Sequence, residues 1–455
     1  LSGGEIQRLF LAGYLIAEMD SVIFVFDEPT IGLHEVEKEN LIRIIRRLVD
    51  VGNTVVAVEH DGNFMREADY IIDMGPEAGI RGGQKIYEGN FDKFLQCRES
   101  KTAPYLTVSS RSKTSSRPID SKKMLTLSNA KLHNLQDVTV QLPLGVMVGV
   151  CGVSGSGKSS LIADTLVPKL KELLKAKCVT GDEETENTVD AVLTGTEQLR
   201  HCYVIDQRPI GRSRTSCPAT YTGIFDRVRT LFADTPQAKA LGYPVGLFSV
   251  NSEGGCPKCK GDGVIHYHVG FGNFVDVECE DCGGSGYIPE AMEVTLDGKN
   301  IREILDMSVD EAVGFFAGKD KVISNMLNVL KRVGMGYIKL GQATPTISGG
   351  ESQRIKLAKE LSKGKNARNS LYILDEPTTG LSFYDSERLM KLLNELVDCG
   401  NSIIVTEHDP YILSGCDYLV EMGPGGGSDG GYVIAAGTPA ELKSNPDSVI
   451  GKYLH

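Results

Sequence analysis

An internal repeat constrains the fold of this chain more than any other feature. Leu1-Ser2-Gly3-Gly4-Glu5-Ile6-Gln7-Arg8 returns as Ile347-Ser348-Gly349-Gly350-Glu351-Ser352-Gln353-Arg354. Phe26-Asp27-Glu28-Pro29-Thr30-Ile31-Gly32-Leu33 returns as Leu374-Asp375-Glu376-Pro377-Thr378-Thr379-Gly380-Leu381. Val58-Glu59-His60-Asp61 returns as Thr406-Glu407-His408-Asp409, and Asp73-Met74-Gly75-Pro76 as Glu421-Met422-Gly423-Pro424. The offset is 346 at the first match and 348 at the other three, so two residues are inserted between the first and second elements. Four collinear matches in the same order mark a duplicated unit. An element at Gly152–Ser159 has no counterpart ahead of the first copy. The expectation is a first copy without its front end, in the C-terminal part of a longer tandem protein.

Gly152-Val153-Ser154-Gly155-Ser156-Gly157-Lys158-Ser159 fits G-x-x-x-x-G-K-[ST]. The apolar run Met147–Val150 precedes it, and a helical run, Ser160–Leu166, follows. In that setting glycines let successive main-chain N–H groups turn toward phosphates, and the helix start adds its partial positive charge. Lys158 would reach the β- and γ-phosphates of ATP, and the Ser159 hydroxyl would bind Mg2+.

Ser21–Phe26 and Leu371–Leu374 are apolar runs that end in Asp-Glu, as buried strands do at a ligand-binding sheet edge. Asp375 would hold Mg2+, and Glu376 would act as general base on the attacking water. Capping of the following helix is the structural alternative for such paired acids. His408 follows another apolar run, Ser402–Val405, and is placed to contact the γ-phosphate. A lone histidine is commonly structural, but the repeat puts His60 in the same setting. Gln207, after Val204-Ile205-Asp206, is a candidate sensor of Mg2+ and the γ-phosphate. Asp27, Glu28 and His60 form the matching half site of the first copy.

Cys256-Pro257-Lys258-Cys259 and Cys279-Glu280-Asp281-Cys282 are 19 residues apart, a spacing typical of structural Zn2+. Four thiolates leave no open coordination position, so that metal would be structural. Each pair continues as C-x-x-C-x-G-x-G, whose glycines expose N–H groups to the sulfurs. Val264–Val277 between the pairs reads as a hairpin with its tip at Gly270–Asn273, and His266 and His268 as surface residues. A redox dithiol pair is the alternative. The other seven of the 11 cysteines are scattered, which suits a reducing, cytoplasmic setting better than a disulfide framework.

Charge narrows the partners. With 48 Lys+Arg against 60 Asp+Glu the net charge is −12, so a basic coat over the whole surface is excluded, but not a local patch. Arg208, Arg212, Arg214, Arg227 and Arg229 are the best candidates for contacts to a DNA phosphate backbone. A solvated charged face is the alternative reading. No apolar run reaches the ~18 residues of a membrane span, and no signal peptide is visible at Leu1. The 51 glycines, about 11% of the chain against a usual ~7%, fall partly in these loops.

Ser-Gly-Gly-Glu-x-Gln-Arg ahead of a helix resembles the signature of ABC ATPases, which closes on ATP held by the opposite nucleotide domain. That resemblance implies that Ser2, Gly3 and Gly4 complete the site built on Lys158, Ser160, Glu376 and His408. Ser348, Gly349 and Gly350 would complete a site whose lysine lies outside this chain. Asp206-Gln207-Arg208-Pro209-Ile210-Gly211-Arg212, Pro218-Ala219-Thr220-Tyr221-Thr222 and Gly334–Gln342 narrow the resemblance. With the cysteine module, the whole chain resembles the C-terminal half of the UvrA family of bacterial excinuclease components.

The resemblance implies an α/β fold of ABC-type ATPase domains with an inserted C4 zinc module. Its parts would be 1–105, the C-terminal part of a first ATPase domain; 106–123, a linker; 124–205, the phosphate-loop part of a second; 206–345, an inserted DNA-binding module with its zinc finger at 254–287; and 346–455, the remainder of the second. It also implies an ATP-hydrolysing homodimer that finds damaged double-stranded DNA in nucleotide excision repair. A UvrB-like partner would bind through the N-terminal part. The family usually has His after the second Gly-Leu, where this chain has Ser382, although His34 is kept in the first copy. The hairpin tip and the residues after Cys282 also lack the usual Phe-Leu-Pro-Asp and Lys-Arg. These departures remove candidate DNA contacts and leave two alternatives: a paralogue ATPase in drug resistance that does not recruit UvrB, and a zinc-organised interaction scaffold.

Overall fold

The computed structural model describes residues 13, 20–76, 82–107, 117–175, 178–179, 189–211, 213–270, 273–362 and 368–454, with the main chain alone at 269, 270, 273 and 274. Ser2, Gly3, Gly4, Arg212, residues 108–116 of the linker and the centre of the hairpin tip lie outside them. The chain divides into two compact units. The first comprises 1–206 and 364–455, and the second Gln207–Lys363.

Along the chain, β1 (Ile23–Asp27) pairs in parallel with β2 (Thr54–Val58), and β3 (Ile71–Gly75) pairs antiparallel with β4 (Gln84–Gly89). Then come β5 (Met124–Ala130), β6 (Val138–Pro143), β7 (Met147–Gly152), β8 (Cys178–Val179), β9 (Val192–Thr194) and β10 (His201–Ile205). The hairpin of β11 (Val264–Gly270) and β12 (Asn273–Glu278) lies in the second unit. The first unit resumes with β13 (Ser370–Asp375), β14 (Ser402–Thr406), β15 (Tyr418–Gly423) and β16 (Tyr432–Gly437).

Seven of these form one sheet in the order β16-β15-β7-β14-β13-β10-β8, parallel except for β16. Every residue of β7 and β14 is buried, as their continuous apolar runs require of central parallel strands. Leu161, Ile162, Leu166 and Leu170 of the following helix cover one face of the sheet, against Val148, Val150 and Ile404. That helix opens at Lys158–Leu161 and passes through a π turn at Ile162–Leu166, where Thr165 Oγ1 donates to Ser160 O at 2.6 Å. A small sheet, β6-β5-β9, stands beside the main one.

The first copy repeats the plan in miniature. The helix Glu35–Asp50 packs Leu41, Ile45 and Leu48 on Phe24 and Phe26 of β1.

In the second unit, the signature helix Gly349–Ser362 packs on the helices Lys321–Arg332 and Pro218–Thr222. The compact unit therefore runs to Lys363, beyond the boundary drawn at 345 from sequence. The physical reason is the contacts of that helix. Tyr337 OH donates to Glu351 Oε1 at 2.5 Å, and Arg354 Nε donates to Met335 Sδ at 3.2 Å.

Candidate functional site

Parallel register assembles the first unit's site. Val150 of β7 pairs with Thr406 of β14, and Thr406 with Asp375 of β13. Three strand ends therefore stand side by side, and the segments leaving them share one edge. The phosphate loop leaves β7, Glu376 leaves β13, and Glu407-His408 leaves β14. The strand bounds differ slightly from the apolar runs, because Asp375 and Thr406 still belong to their strands.

The loop Gly152–Ser159 has the geometry its glycines imply. Gly152 has φ 138°, and a Cβ there would lie 2.1 Å from Met422 O, so only glycine fits. Gly157, at φ 104°, starts the helix. Asn134 Nδ2 donates to Gly155 O at 2.9 Å, while Gly427 N and Gly431 N donate to Gly155 O and Ser156 O at 3.0 Å each. Lys158 is buried, and its Nζ donates to Gly152 O at 2.8 Å and Val153 O at 3.0 Å. Burial lowers its pKa from the usual lysine value. Ser159 and Ser160 lie in the first helical turn.

Thr406 Oγ1 donates to Asp375 Oδ1 at 2.5 Å, and burial raises that carboxyl's pKa. Glu376 sits at φ 45°, a left-handed position, held by N–H donation to Thr406 O at 3.0 Å. His408 Nε2 lies 2.8 Å from Glu376 Oε1. Burial, aided by the Lys158 charge, pushes the imidazole below its usual range. Burial opposes the charge on Glu376, yet the His408 hydrogen bond and the nearby Lys158 charge hold its carboxyl below the usual value. The arrangement is a neutral His408 donating to an ionised Glu376.

The first copy shows the same construction. Glu28 has φ 44° and donates its N–H to Val58 O at 2.9 Å. His60 Nε2 stands 3.4 Å from Glu28 Oε1. That hydrogen bond raises the His60 pKa and lowers that of Glu28, so both shifts favour the ionic form of this more exposed pair. Asp27 ends β1. The two copies meet reciprocally across a cavity of about 660 Å3 lined by both His60 and His408. A methyl group at Gly32 would lie 3.7 Å from Glu376 Oε2, and one at Gly380 3.6 Å from Glu28 Oε2.

Sequence reasoning missed several residues. Glu407 is buried, accepts from Thr378 N at 3.1 Å and Oγ1 at 2.5 Å, and is raised by burial to about 7. Lys38 bridges Glu35 at 2.6 Å and Asp61 at 2.8 Å. Glu37 of the first copy accepts from Ser154 N at 3.2 Å. Asn134 and the glycine run 425–431 brace the loop. Only the glycine run and the His34-x-x-Glu37 cap carry a local signal.

In the second unit, Ser348 Oγ accepts from Glu351 N at 3.3 Å while Ser348 N donates to Glu351 Oε2 at 2.8 Å, a reciprocal cap ahead of Gly349 and Gly350. A Cβ on Gly349 would lie 3.2 Å from Gln207 O, so Gln207 adjoins the signature. Cys256, Cys259, Cys279 and Cys282 present sulfurs all within 4.8 Å of one another. A tetrahedral Zn–S distance of ~2.3 Å implies S–S separations of about 3.8 Å. The observed 4.0 Å (Cys256–Cys279) and 3.7 Å (Cys259–Cys282) fit that ion. Gly263 N and Gly286 N donate to Cys259 and Cys282 sulfurs at 3.2 and 3.4 Å, as the C-x-x-C-x-G-x-G pattern implies. His266 is instead held by Asp276 at 2.6 Å.

The arginines engage in ion pairs within the unit. Arg214 pairs with Asp276 at 2.7 Å, Arg227 with Asp320 at 2.9 Å, and Arg229 with Asp226. Arg208 also has a partner. Among the described residues no helix is long and apolar enough to cross a membrane.

No family model matches the chain. It is similar to the UvrABC system protein A of Aquifex aeolicus, 46% identical over 456 residues, covering 100% of this chain and 48% of that protein. The same-named protein of Mycobacterium tuberculosis is 44% identical over 460 residues (100% and 46%), and that of Thermus thermophilus 46% over 445 residues (97% and 46%). The chain thus spans about half the length of the curated relatives it matches. Among solved structures, UvrA2 from Deinococcus radiodurans is 41% identical with a TM-score of 0.91, covering 100% of this chain and 54% of that one. Archaeal ABCE1, bound with Pelota to the ribosome, is 18% identical with a TM-score of 0.54 over 98% of this chain and 60% of its own, and shares the ABC fold. On these likenesses the chain is similar to UvrA proteins along its whole length and is consistent with their C-terminal half.

Proposed function

We propose that this chain is the ATP-hydrolysing, zinc-containing, DNA-binding half of a UvrA-type protein that recognises damaged DNA in the UvrABC nucleotide excision repair system. The observation that carries the reading is the shared edge of Lys158, Asp375, Glu376 and His408. Lys158 and the loop N–H groups take the β- and γ-phosphates of ATP. Ser159 and Asp375 are the residues to hold Mg2+, which supplies charge neutralisation on the phosphates. Glu376, ionised at neutral pH, takes the proton of the attacking water, and His408 keeps its carboxylate oriented. Gln207 senses the γ-phosphate, and Ser2, Gly3 and Gly4 complete the site by the family resemblance. Asp27, Glu28, His60 and the Ser348–Gly350 signature serve the second composite site.

The four cysteines hold a structural Zn2+ that ties down the hairpin. DNA contact by Arg208, Arg212, Arg214, Arg227 and Arg229 requires the ion pairs of Arg214, Arg227 and Arg229 to exchange acid for phosphate. A homodimer, a UvrB-like partner bound through the N-terminal part, and a cytoplasmic location complete the proposal.

The test is duplex binding by the full-length protein, with and without a bulky lesion, across salt concentrations. Preference for lesioned duplex and a log–log salt slope of about −0.9 per phosphate contact support it. Equal affinity or no salt dependence contradicts it.

A further inference from the structure

Two of the phosphate loop's donors are already engaged, and one of their partners comes from the other copy. Ser154 N donates to Glu37 Oε2 at 3.2 Å. Glu37 is the third residue of the first copy's helix Glu35–Asp50, and the same Oε2 accepts from His34 N at 3.0 Å. One carboxylate oxygen thus joins the start of a first-copy helix to the second copy's loop. Lys158, the loop's cation, turns back onto the carbonyls of Gly152 and Val153. The negative charge of Glu37 also bears on Lys158 and on His408.

The repeat supplies a mirror case. The second-copy counterpart, Asp385, closes its own cap on Ser382 at 2.7 Å, and its charge bears on His60 of the first copy. Each helix start therefore presents an acid toward the other copy's strand edge. A carboxylate within hydrogen-bonding distance of a phosphate-binding N–H occupies the place of a phosphate oxygen. Like charges that close repel.

We propose that Glu37 is an affinity-setting residue of this site. Its carboxylate holds the Ser154 N–H and leaves it when the triphosphate enters. It thereby lowers nucleotide affinity and reports occupancy of the second copy's loop to the start of the first copy's helix. The proposal rests on the nucleotide reading given above.

The experiment is binding of AMP-PNP to the full-length protein with its other phosphate loop disabled, comparing wild type, E37Q and E37D. Glutamine serves at the third position of a capping box as glutamate does, so E37Q removes charge and keeps the cap. The expected result is AMP-PNP binding about five- to tenfold tighter in E37Q, with the gain shrinking at high salt, and E37D within about twofold of wild type. Unchanged or weaker binding by E37Q, while wild type binds, overturns the role of Glu37 alone. A wild type that binds no AMP-PNP overturns the nucleotide reading and this proposal with it.

Discussion

His408 Nε2 stands 2.8 Å from Glu376 Oε1 at the C-terminal edge of the sheet, with His408 buried and Glu376 half-buried. Burial favours the neutral carboxyl, whereas the imidazole N–H and the neighbouring positive charge favour the carboxylate. Replacing His408 removes one side of that balance. H408A is expected to raise the pKa of Glu376, so the acid limb of hydrolysis moves to higher pH. The pH profile of single-turnover ATP hydrolysis checks this, and an unmoved acid limb would show that His408 does not set the charge of Glu376.

E376Q keeps the shape of the site and loses the base. Hydrolysis is expected to fall by about 10²- to 10⁴-fold, with AMP-PNP affinity within about threefold of wild type. A comparable loss of binding would mean that Glu376 is chiefly a structural cap, the alternative open at the level of sequence.

His34 gives a pH-dependent stability with a definite sign. It is fully buried as the cap of the helix Glu35–Asp50, and burial lowers its pKa to about 4. The unfolded chain therefore binds the proton first. This contribution to stability is present above pH ~6.5 and is lost as pH falls toward 4, at a cost of about 2 kcal/mol by pH 5. H34S, which installs the residue found at Ser382, keeps a capping hydroxyl. It should flatten the difference in melting temperature between pH 7.5 and pH 5, whatever cavity it leaves. An identical pH dependence in the variant would assign the acid sensitivity elsewhere.

Cys279 is completely buried among the four sulfurs. C279S is expected to lower the zinc content of the full-length protein by one equivalent and to open residues 254–287 to protease, because the tetrahedral site loses its closure. Unchanged zinc content would leave the cluster as a set of free thiols.

The legible parts of the site are those whose chemistry is local. Gly152–Ser159 declares its use through spacing, and the repeat doubles the weight of Glu376 and His408 because Glu28 and His60 recur with the same left-handed φ and the same histidine partner. C-x-x-C-x-G-x-G likewise encodes both sulfurs and the N–H groups that reach them. The hidden parts depend on distant residues meeting. Glu37 reaches Ser154 across 117 positions, and Asn134 reaches Gly427 across 293. Arg214 likewise meets Asp276, its partner on the hairpin, across 62 residues. The signature helix reads as part of the sheet domain because the repeat ties it there. Its packing on the helices Lys321–Arg332 and Pro218–Thr222 places it in the second unit.

The measurement that bears most directly on the central claim is single-turnover ATP hydrolysis by the full-length protein with its other phosphate loop disabled, comparing wild type with K158A. The expected result is measurable hydrolysis by wild type and a K158A rate indistinguishable from buffer. Hydrolysis by K158A at the wild-type rate would contradict the assignment of Lys158, Glu376 and His408 to one ATP site.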